Sequence, residues 1–357
     1  MELLQFLLIV EMPDRKDILL AKYTIKRNLP VNYINGDLNY CLSEFSYETY
    51  NVDFRSLYFC FVTYEGIIYN SFLHLVKSSL VGPKLRSQYS LKRTLNEIRK
   101  LKIKSLDNNR KYLIAFDAWS GNHYHWITEV LSRLFLLKKE LNQYILILPE
   151  NVYIKNTGRA LLNLLDLIPR DIIYVKPTEL IYSNKLHFIN HVALTGYIND
   201  KVLKEIKKKL DSKIQHHKAQ IYRKLYITRG QASYRKVLNE TDVVSLLISE
   251  GYEIFDFGIL SLEDQISICS QANIMISMHG AGLTNMIFMI PGSKILEFRR
   301  NKIYHNQCYW HLADALKHKY FYLFGDPDSD LQLEGNGCNL TIPLLKLRQL
   351  LDEMASS

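Results

Sequence analysis

The chain has 357 residues, 48% of them hydrophobic and 23% charged, which suits a globular protein of about two domains. This composition excludes a disordered chain, and neither a low-complexity tract nor a solenoid-type repeat is visible. The formal net charge of +9 favours an anionic partner, whether a nucleotide, an acidic glycan, a membrane surface or a nucleic acid.

Five cysteines, Cys41, Cys60, Cys269, Cys308 and Cys338, are scattered and form no CxxC or CxxH pair. They support neither a zinc site nor a disulfide framework and suit a reducing compartment. The apolar run Leu3–Val10 is flanked by Glu2 and Glu11. It lacks the positive flank and small-residue cleavage site of a signal peptide, and it is too short to span a bilayer. A buried first strand or helix is expected there, in a cytoplasmic protein whose basic charge also allows a peripheral contact at the inner face of a membrane.

Residues 1–110 read as an irregular capping part or the opening strands of a first domain. From Tyr112 the pattern sharpens. Apolar runs at 112–116, 144–148, 172–175 and 186–189 alternate with helical stretches in which Ile127, Leu131 and Leu134 share one face. Such alternation predicts a parallel sheet covered on both faces. Residues 199–221 predict a basic helix with one apolar stripe, Leu203, Ile206, Leu210 and Ile214, linking two domains. Strands are then expected at 224–228, 252–257, 274–278, 294–298 and 320–324, with helices between them, completing a second doubly wound unit. The division is therefore 1–198, a linker at 199–221, 222–340, and a last helix within 341–357 that packs back on the first domain.

The most informative turn is Ser277-Met278-His279-Gly280-Ala281-Gly282-Leu283-Thr284-Asn285. It follows a buried strand and opens a helix, at the sheet edge where open α/β folds bind ligands. Gly280 and Gly282 permit a tight backbone, and free N–H groups at a helix start suit a phosphate. Thr284, Asn285 and His279 add side-chain donors. The spacing is neither the GxGxxG of dinucleotide enzymes nor a P-loop, so the residues alone indicate an anion site. Arg229 and Arg235 follow the strand at 224–228, and guanidinium groups bind phosphate bidentately at any working pH. Glu297, at the end of its strand, can accept hydrogen bonds from ribose hydroxyls.

In the first domain, Asn122 to Glu129 follows the strand ending near Asp117. On a helix, His125 and Glu129 are i,i+4 neighbours, and a His–carboxylate pair can take a proton from an attacking hydroxyl. Arg133 continues the stripe, which would otherwise be an ordinary solvated helix face. Asp117 is a third candidate base, and the choice among His125, Glu129 and Asp117 stays open here.

The ordered set Tyr226-Ile227-Thr228-Arg229, Arg235, Asn239-Glu240, Leu260 to Ile266, His279 to Asn285, Pro291-Gly292 and Ile295-Leu296-Glu297 resembles glycosyltransferase family 61, as does Gly121-Asn122 with its following His and Glu. Lys236, Met278 and Ser132 depart from the usual pattern. The resemblance implies a GT-B-like fold, two Rossmann-like doubly wound domains facing a central cleft, and an inverting mechanism. It places the nucleotide-sugar donor on the C-terminal domain, with Arg229, Arg235, His279, Gly280, Ala281, Gly282, Leu283, Thr284, Asn285 and Glu297. Catalysis falls to His125, Glu129 or Asp117, with Asn122 and Trp126 on the acceptor side. The implied acceptor is a glycan or lipid-linked sugar in capsule or surface-polysaccharide synthesis. No cofactor beyond the donor and no metal are expected, Asp326 and Asp328 reading as a turn. Rival readings are a basic RNA- or membrane-binding protein and a nucleotide-binding oxidoreductase. The first leaves the phosphate corner unused, and the second lacks its glycine fingerprint, so nucleic acid is not an expected partner.

Overall fold

The structure is a computed structural model that describes residues 15–34, 36, 45–71, 73–80, 98–214, 223–300, 306–331 and 337–356. The run Leu3–Val10 and Cys41 lie outside the described residues. The chain divides into two compact units, Met1–Tyr23 with Glu48–Thr195 and Thr24–Tyr47 with Gly196–Ser357.

Strands β1 (Arg15–Leu20), β2 (Thr24–Lys26), β3 (Ser46–Glu48), β4 (Val52–Val62) and β5 (Ile68–Tyr69) come first. They are followed by β6 (Lys102–Ser105), β7 (Tyr112–Ile114), β8 (Ile145–Pro149), β9 (Asp171–Val175) and β10 (Glu179–Ile189). The sheet of the first unit runs β1-β4-β10-β7-β8-β9, with β5 on β4 and β6 on β10. Every residue of β7 and β8 is buried, as continuous apolar runs covered on both faces must be.

The opening residues supply more than a cap. The 11-residue strand β4 pairs antiparallel with both β1 and β10. The sheet is therefore mixed, where an all-parallel one is expected from the alternating pattern. The chain steps β7 to β8 to β9 in one direction and then returns to lay β10 parallel against the other side of β7. That reversal puts the carboxyl ends of β7 and β10 side by side, the topological position where such sheets bind ligands.

In the second unit, β11 (Arg223–Ile227), β12 (Tyr252–Phe255), β13 (Ala272–Met278), β14 (Lys294–Arg300), β15 (Lys319–Pro327) and β16 (Leu340–Thr341) form one sheet. Its order is β12-β11-β13-β14-β15-β16, parallel except for β16. The reversal lies between β11 and β13, so the loops after these two strands flank the switch point. The helix expected after β13 is a 3₁₀ helix, Ala281–Phe288.

Three expected boundaries move. Residues 24–47 belong to the second unit, where the buried Arg27 guanidinium pairs with Asp200 at 2.7 Å and Asp314 at 3.3 Å. The helix Asp200–Lys213 is also part of that unit and not a linker. Asn199 caps it by accepting from the Val202 N–H, and Lys207 turns inward onto Asp211. The last helix, Leu344–Ser356, buries Leu347, Leu350, Leu351 and Met354 beside Tyr226, Ile274 and Leu296. It packs on the second unit because the antiparallel edge strand β16 returns the chain along that sheet and presents its one apolar stripe there.

Leu347 is fully buried. Leu347→Ala should cost about 2–5 kcal/mol of unfolding free energy, as deletion of a core leucine does. Urea unfolding read from the emission of buried Trp310, in the same unit, checks this; a loss under ~0.5 kcal/mol, ordinary for a surface change, would contradict this packing.

Candidate functional site

The first cluster grows from the turn after β7. The Asp117 N–H donates to Ser120 Oγ at 2.9 Å and the Ser120 N–H to the Asp117 carbonyl at 3.1 Å. The carboxylate then divides its work: Oδ1 accepts the Trp119 N–H at 2.9 Å and Oδ2 accepts from Arg133 Nη2 at 2.7 Å. Both side chains of this ion pair are within 1% of complete burial. Burial alone would raise the Asp117 pKa, but the Arg133 charge and the neighbouring His191 hold it below the usual carboxylate value. An acid this weakly basic, with each oxygen already accepting, is poorly made for abstracting a proton. The structure thus speaks against Asp117 as a base and gives it an anchoring part.

The helical segment that follows is a short α-turn, His123–His125, a π-turn, Trp126–Val130, and an α-helix, Leu131–Leu136. Single π-turns inside helices are frequent at functional sites. His125 Nδ1 and Glu129 Oε1 meet at 2.9 Å, and Thr195 Oγ1 donates to the same oxygen at 2.7 Å. Arg133 Nε donates to the Glu129 carbonyl at 3.2 Å. The stripe expected to be either a solvated face or a catalytic one is therefore buried at Glu129 and Arg133 and opens to solvent only at His125. A carboxylate can only accept, so in the neutral ring Nδ1 carries the proton and Nε2 the basic lone pair. Burial disfavours the imidazolium, but the Glu129 carboxylate more than offsets this, and the His125 pKa is raised.

His191, just past the end of β10, was not singled out by its sequence context. Both of its nitrogens, Glu129 Oε2 and Arg133 Nη1 are buried without a hydrogen-bond partner. Its pKa is pushed down to about 4 by burial first and by Arg133 second. Asp117, Glu129 and His191 offer three ligand-type atoms within 4.8 Å of one another. The fit to a divalent cation is nonetheless poor, because the Arg133 guanidinium holds the Asp117 oxygen that faces His191, and a cation would meet that buried positive charge.

The two residues expected on the acceptor side differ in exposure, Asn122 being exposed and Trp126 buried. Asn122 is the helix N-cap, its side chain accepting from the Tyr124 N–H at 2.9 Å. Trp126 is fully buried against Gly158, where a Cβ would stand 3.0 Å from the indole. The half-exposed indole at this site is Trp119, whose ring centroid lies 5.0 Å from that of His125.

The second cluster sits at the switch point of the other sheet. Glu240 accepts from Tyr226 and Thr228 at 2.9 and 2.6 Å, fixing the end of β11. Just beyond, Arg229 Nε donates to the Arg235 carbonyl at 3.1 Å and Nη2 to the Tyr234 carbonyl at 3.3 Å. Its Nη1 lies against Gly280, where a Cβ would stand only 2.2 Å away. No side chain fits at 280 while the guanidinium is there; the need is for close approach, since φ of 169° is extended backbone. Arg235 has φ +60°, and its Nε is buried without a partner. Among the described residues neither arginine makes an ion pair. Burial, then the charge of Arg235, lowers the Arg229 pKa.

The rest of the expected donor set divides. Ala281 and Gly282 are half-buried, whereas Leu283, Thr284 and Asn285 lie beneath the turn. The Asn285 amide donates to Gln265 Oε1 and to the Gly282 carbonyl, both at 3.1 Å, so it braces the turn from inside. Glu297 is also turned inward: Oε1 pairs with His279 Nδ1 and Oε2 accepts from the Tyr320 hydroxyl. Burial would raise its pKa, but His279 holds it down. This oxygen inventory is the reverse of a strand-end carboxylate waiting for a ribose. Asp326 and Pro327, expected in a turn, end strand β15 and pair with β16; Asp328, just beyond, accepts from the Asn339 backbone and amide at 2.9 and 2.6 Å.

With both clusters placed, comparison with known proteins finds similarity over part of the sequence. The glycosyltransferase 61 family model matches residues 123–296. Over that span, just under half of the chain, the sequence is similar to glycosyltransferase family 61. The family match begins two residues before His125 and takes in Glu129, Arg229, Arg235 and the turn from His279; Asp117, Trp119 and Glu297 lie outside it. The chain is also 30% identical over 92 residues to EGF domain-specific O-linked N-acetylglucosamine transferase from Rattus norvegicus and from Pan troglodytes. That stretch is 24% of this chain and 17% of the length of either relative. Among the described residues no helix is long and apolar enough to cross a membrane.

The buried neutral His191 ties stability to pH. In an unfolded chain histidine titrates near 6.5, against about 4 here. A depressed pKa gives stability that is fully present above about pH 6.5 and is lost as pH falls towards 4, approaching ~3 kcal/mol. Urea unfolding at pH 7 and pH 4.5 should show a shallower pH dependence for His191→Asn than for the wild type; equal slopes would contradict a neutral His191. Asp117→Asn, which leaves Arg133 buried and alone, should cost about 3–5 kcal/mol at pH 7.

Proposed function

We propose that the chain is an inverting, metal-independent glycosyltransferase of GT-B type that moves a sugar from a nucleoside-diphosphate donor to a hydroxyl of a glycan or lipid-linked acceptor. The observation that carries the donor half is a pair of guanidinium groups, Arg229 and Arg235, at a sheet switch point with no carboxylate paired to either among the described residues. Holding two such charges together is costly unless an anion arrives, and a diphosphate supplies it. The half-buried backbone at Ala281 and Gly282 opens a 3₁₀ helix, whose first N–H groups have no carbonyl within the helix to donate to.

In the reaction the acceptor oxygen forms a bond to the anomeric carbon, the bond from that carbon to the diphosphate oxygen breaks, and the acceptor proton passes to His125 Nε2. Glu129 orients the imidazole and stabilises the imidazolium that results, while Thr195 holds Glu129. The geometry favours His125 over Glu129 as the base, since Glu129 is buried and already accepts from two groups. Arg229 and Arg235 neutralise the leaving diphosphate, the part a divalent cation takes in other transferases. The names of the two relatives describe an O-linked sugar transfer, which agrees with a hydroxyl acceptor. Surface-polysaccharide assembly at the inner face of a membrane is the setting that the +9 charge and the family resemblance favour.

The test has two arms. Arg229→Ala should weaken binding of UDP or GDP in calorimetry by about 1.5–3 kcal/mol, the worth of a charged hydrogen bond, and Gly280→Ala should weaken it too by displacing the guanidinium. His125→Ala and Glu129→Gln should lower turnover of the nucleotide sugar that the wild type uses by about 10²–10⁴-fold, with nucleotide affinity unchanged. Nucleotide binding unaltered in folded Arg229→Ala rejects the donor site, and near wild-type turnover in both base variants rejects the dyad.

A further inference from the structure

Trp119 presents a large apolar face where a soluble protein would ordinarily bury one. Its residue is 43% exposed, while the other two tryptophans, Trp126 and Trp310, are at 0% and 1%. The exposure is built in. The Trp119 N–H is held by Asp117 Oδ1, the same carboxylate that Arg133 grips from the core, and the turn beneath it is closed twice between Asp117 and Ser120. A fixed backbone carrying an open indole is a preorganised platform, which loses little freedom when something lies on it.

What lies there is constrained by the neighbours. The indole centroid is 5.0 Å from the His125 ring, with the planes tilted at 56°. The imidazole is thus the indole's immediate neighbour, and a six-membered ring resting on the open part of the indole would lie beside it. The negative face of an aromatic ring attracts the polarised C–H face of a sugar much as it does the edge of another ring. The charges that act on His125 are Glu129 and Asp117 on one side and Arg133 on the other, and Arg133 is already paired with Asp117. The local balance is negative, which suits an uncharged sugar and opposes a nucleotide diphosphate.

We propose that Trp119 is the platform for the acceptor sugar, stacking its apolar face so that the reacting hydroxyl meets His125. This rests on the transferase reading above and adds to it the acceptor subsite and its chemical class, a pyranose with one open C–H face.

Trp119 supplies the exposed part of the indole emission, so acrylamide quenching reports on it directly. The probes are methyl β-D-glucopyranoside, methyl β-D-galactopyranoside and methyl α-D-mannopyranoside, with sorbitol as the open-chain control and UDP as the nucleotide control. At least one pyranoside should reduce the quenching constant of the wild type by about half, sorbitol and UDP should not, and Trp119→Phe should lack the protectable component. With an acceptor that supports turnover, Trp119→Ala should raise its KM about tenfold, the scale of one aromatic stacking contact. Trp119→Phe should restore most of that, and donor affinity and thermal stability should be unchanged in both variants. Protection by UDP alone, protection by none of the pyranosides, or an acceptor KM within twofold of wild type in Trp119→Ala overturns the proposal. Pyranoside protection in a protein that transfers no sugar would keep the platform and remove the transferase reading; transfer with an unchanged KM would do the opposite.

Discussion

The first unit's site depends on one buried ion pair, Asp117 with Arg133. Removing two charges from water costs several kcal/mol for each, and the attraction between them recovers this only when the remaining donors and acceptors are also used. Here most of them are. Asp117 spends its second oxygen on the Trp119 backbone, and Arg133 spends Nε on the Glu129 carbonyl. One pair thus fixes the exposed indole on one side and the π-turn that presents Glu129 on the other. His125 inherits its orientation from Glu129, and His191 is kept neutral first by its burial and then by the same guanidinium.

The second unit has the opposite electrostatic arrangement. Beneath its turn Glu297 is shared between His279 and Tyr320, and Asn285 braces the backbone. At the sheet edge, among the described residues, neither Arg229 nor Arg235 forms an ion pair. Gly280 is the steric condition for this, since the guanidinium occupies the space a side chain would take.

Much of this was legible in the sequence, and the reasons for the rest are local. The second sheet was readable because each strand is a continuous apolar run, and Arg229 and the 279–285 turn follow from the carboxyl-edge rule. His125 and Glu129 met as their spacing required, although on a π-turn that no periodicity signals. His191 was missed although the same edge rule, applied to the strand ending at Ile189, reaches it within two residues. The inward turn of Glu297 was invisible because it depends on Tyr320, on the neighbouring strand, whose hydroxyl nothing in the local sequence marks. Trp126 was expected on the acceptor side for a similar reason: its burial depends on Gly158, more than thirty positions away. The mixed pairing of β4 and β10 is a long-range register that alternating apolar runs do not encode.

The route of the chain has a temporal consequence. Residues 24–47 pack in the second unit, with Arg27 seated on Asp200 and Asp314, yet they leave the ribosome long before those partners. At about 5–20 residues per second, the wait for residue 314 is on the order of 10–50 s. Until residue 200 is made Arg27 has neither carboxylate to answer its charge, and from then until residue 314 it has Asp200 alone, while the strands of the first unit on either side of the segment can already associate. The nascent chain must therefore carry an unfolded internal loop out of a nearly complete domain, and hold it clear of wrong partners until the rest is made.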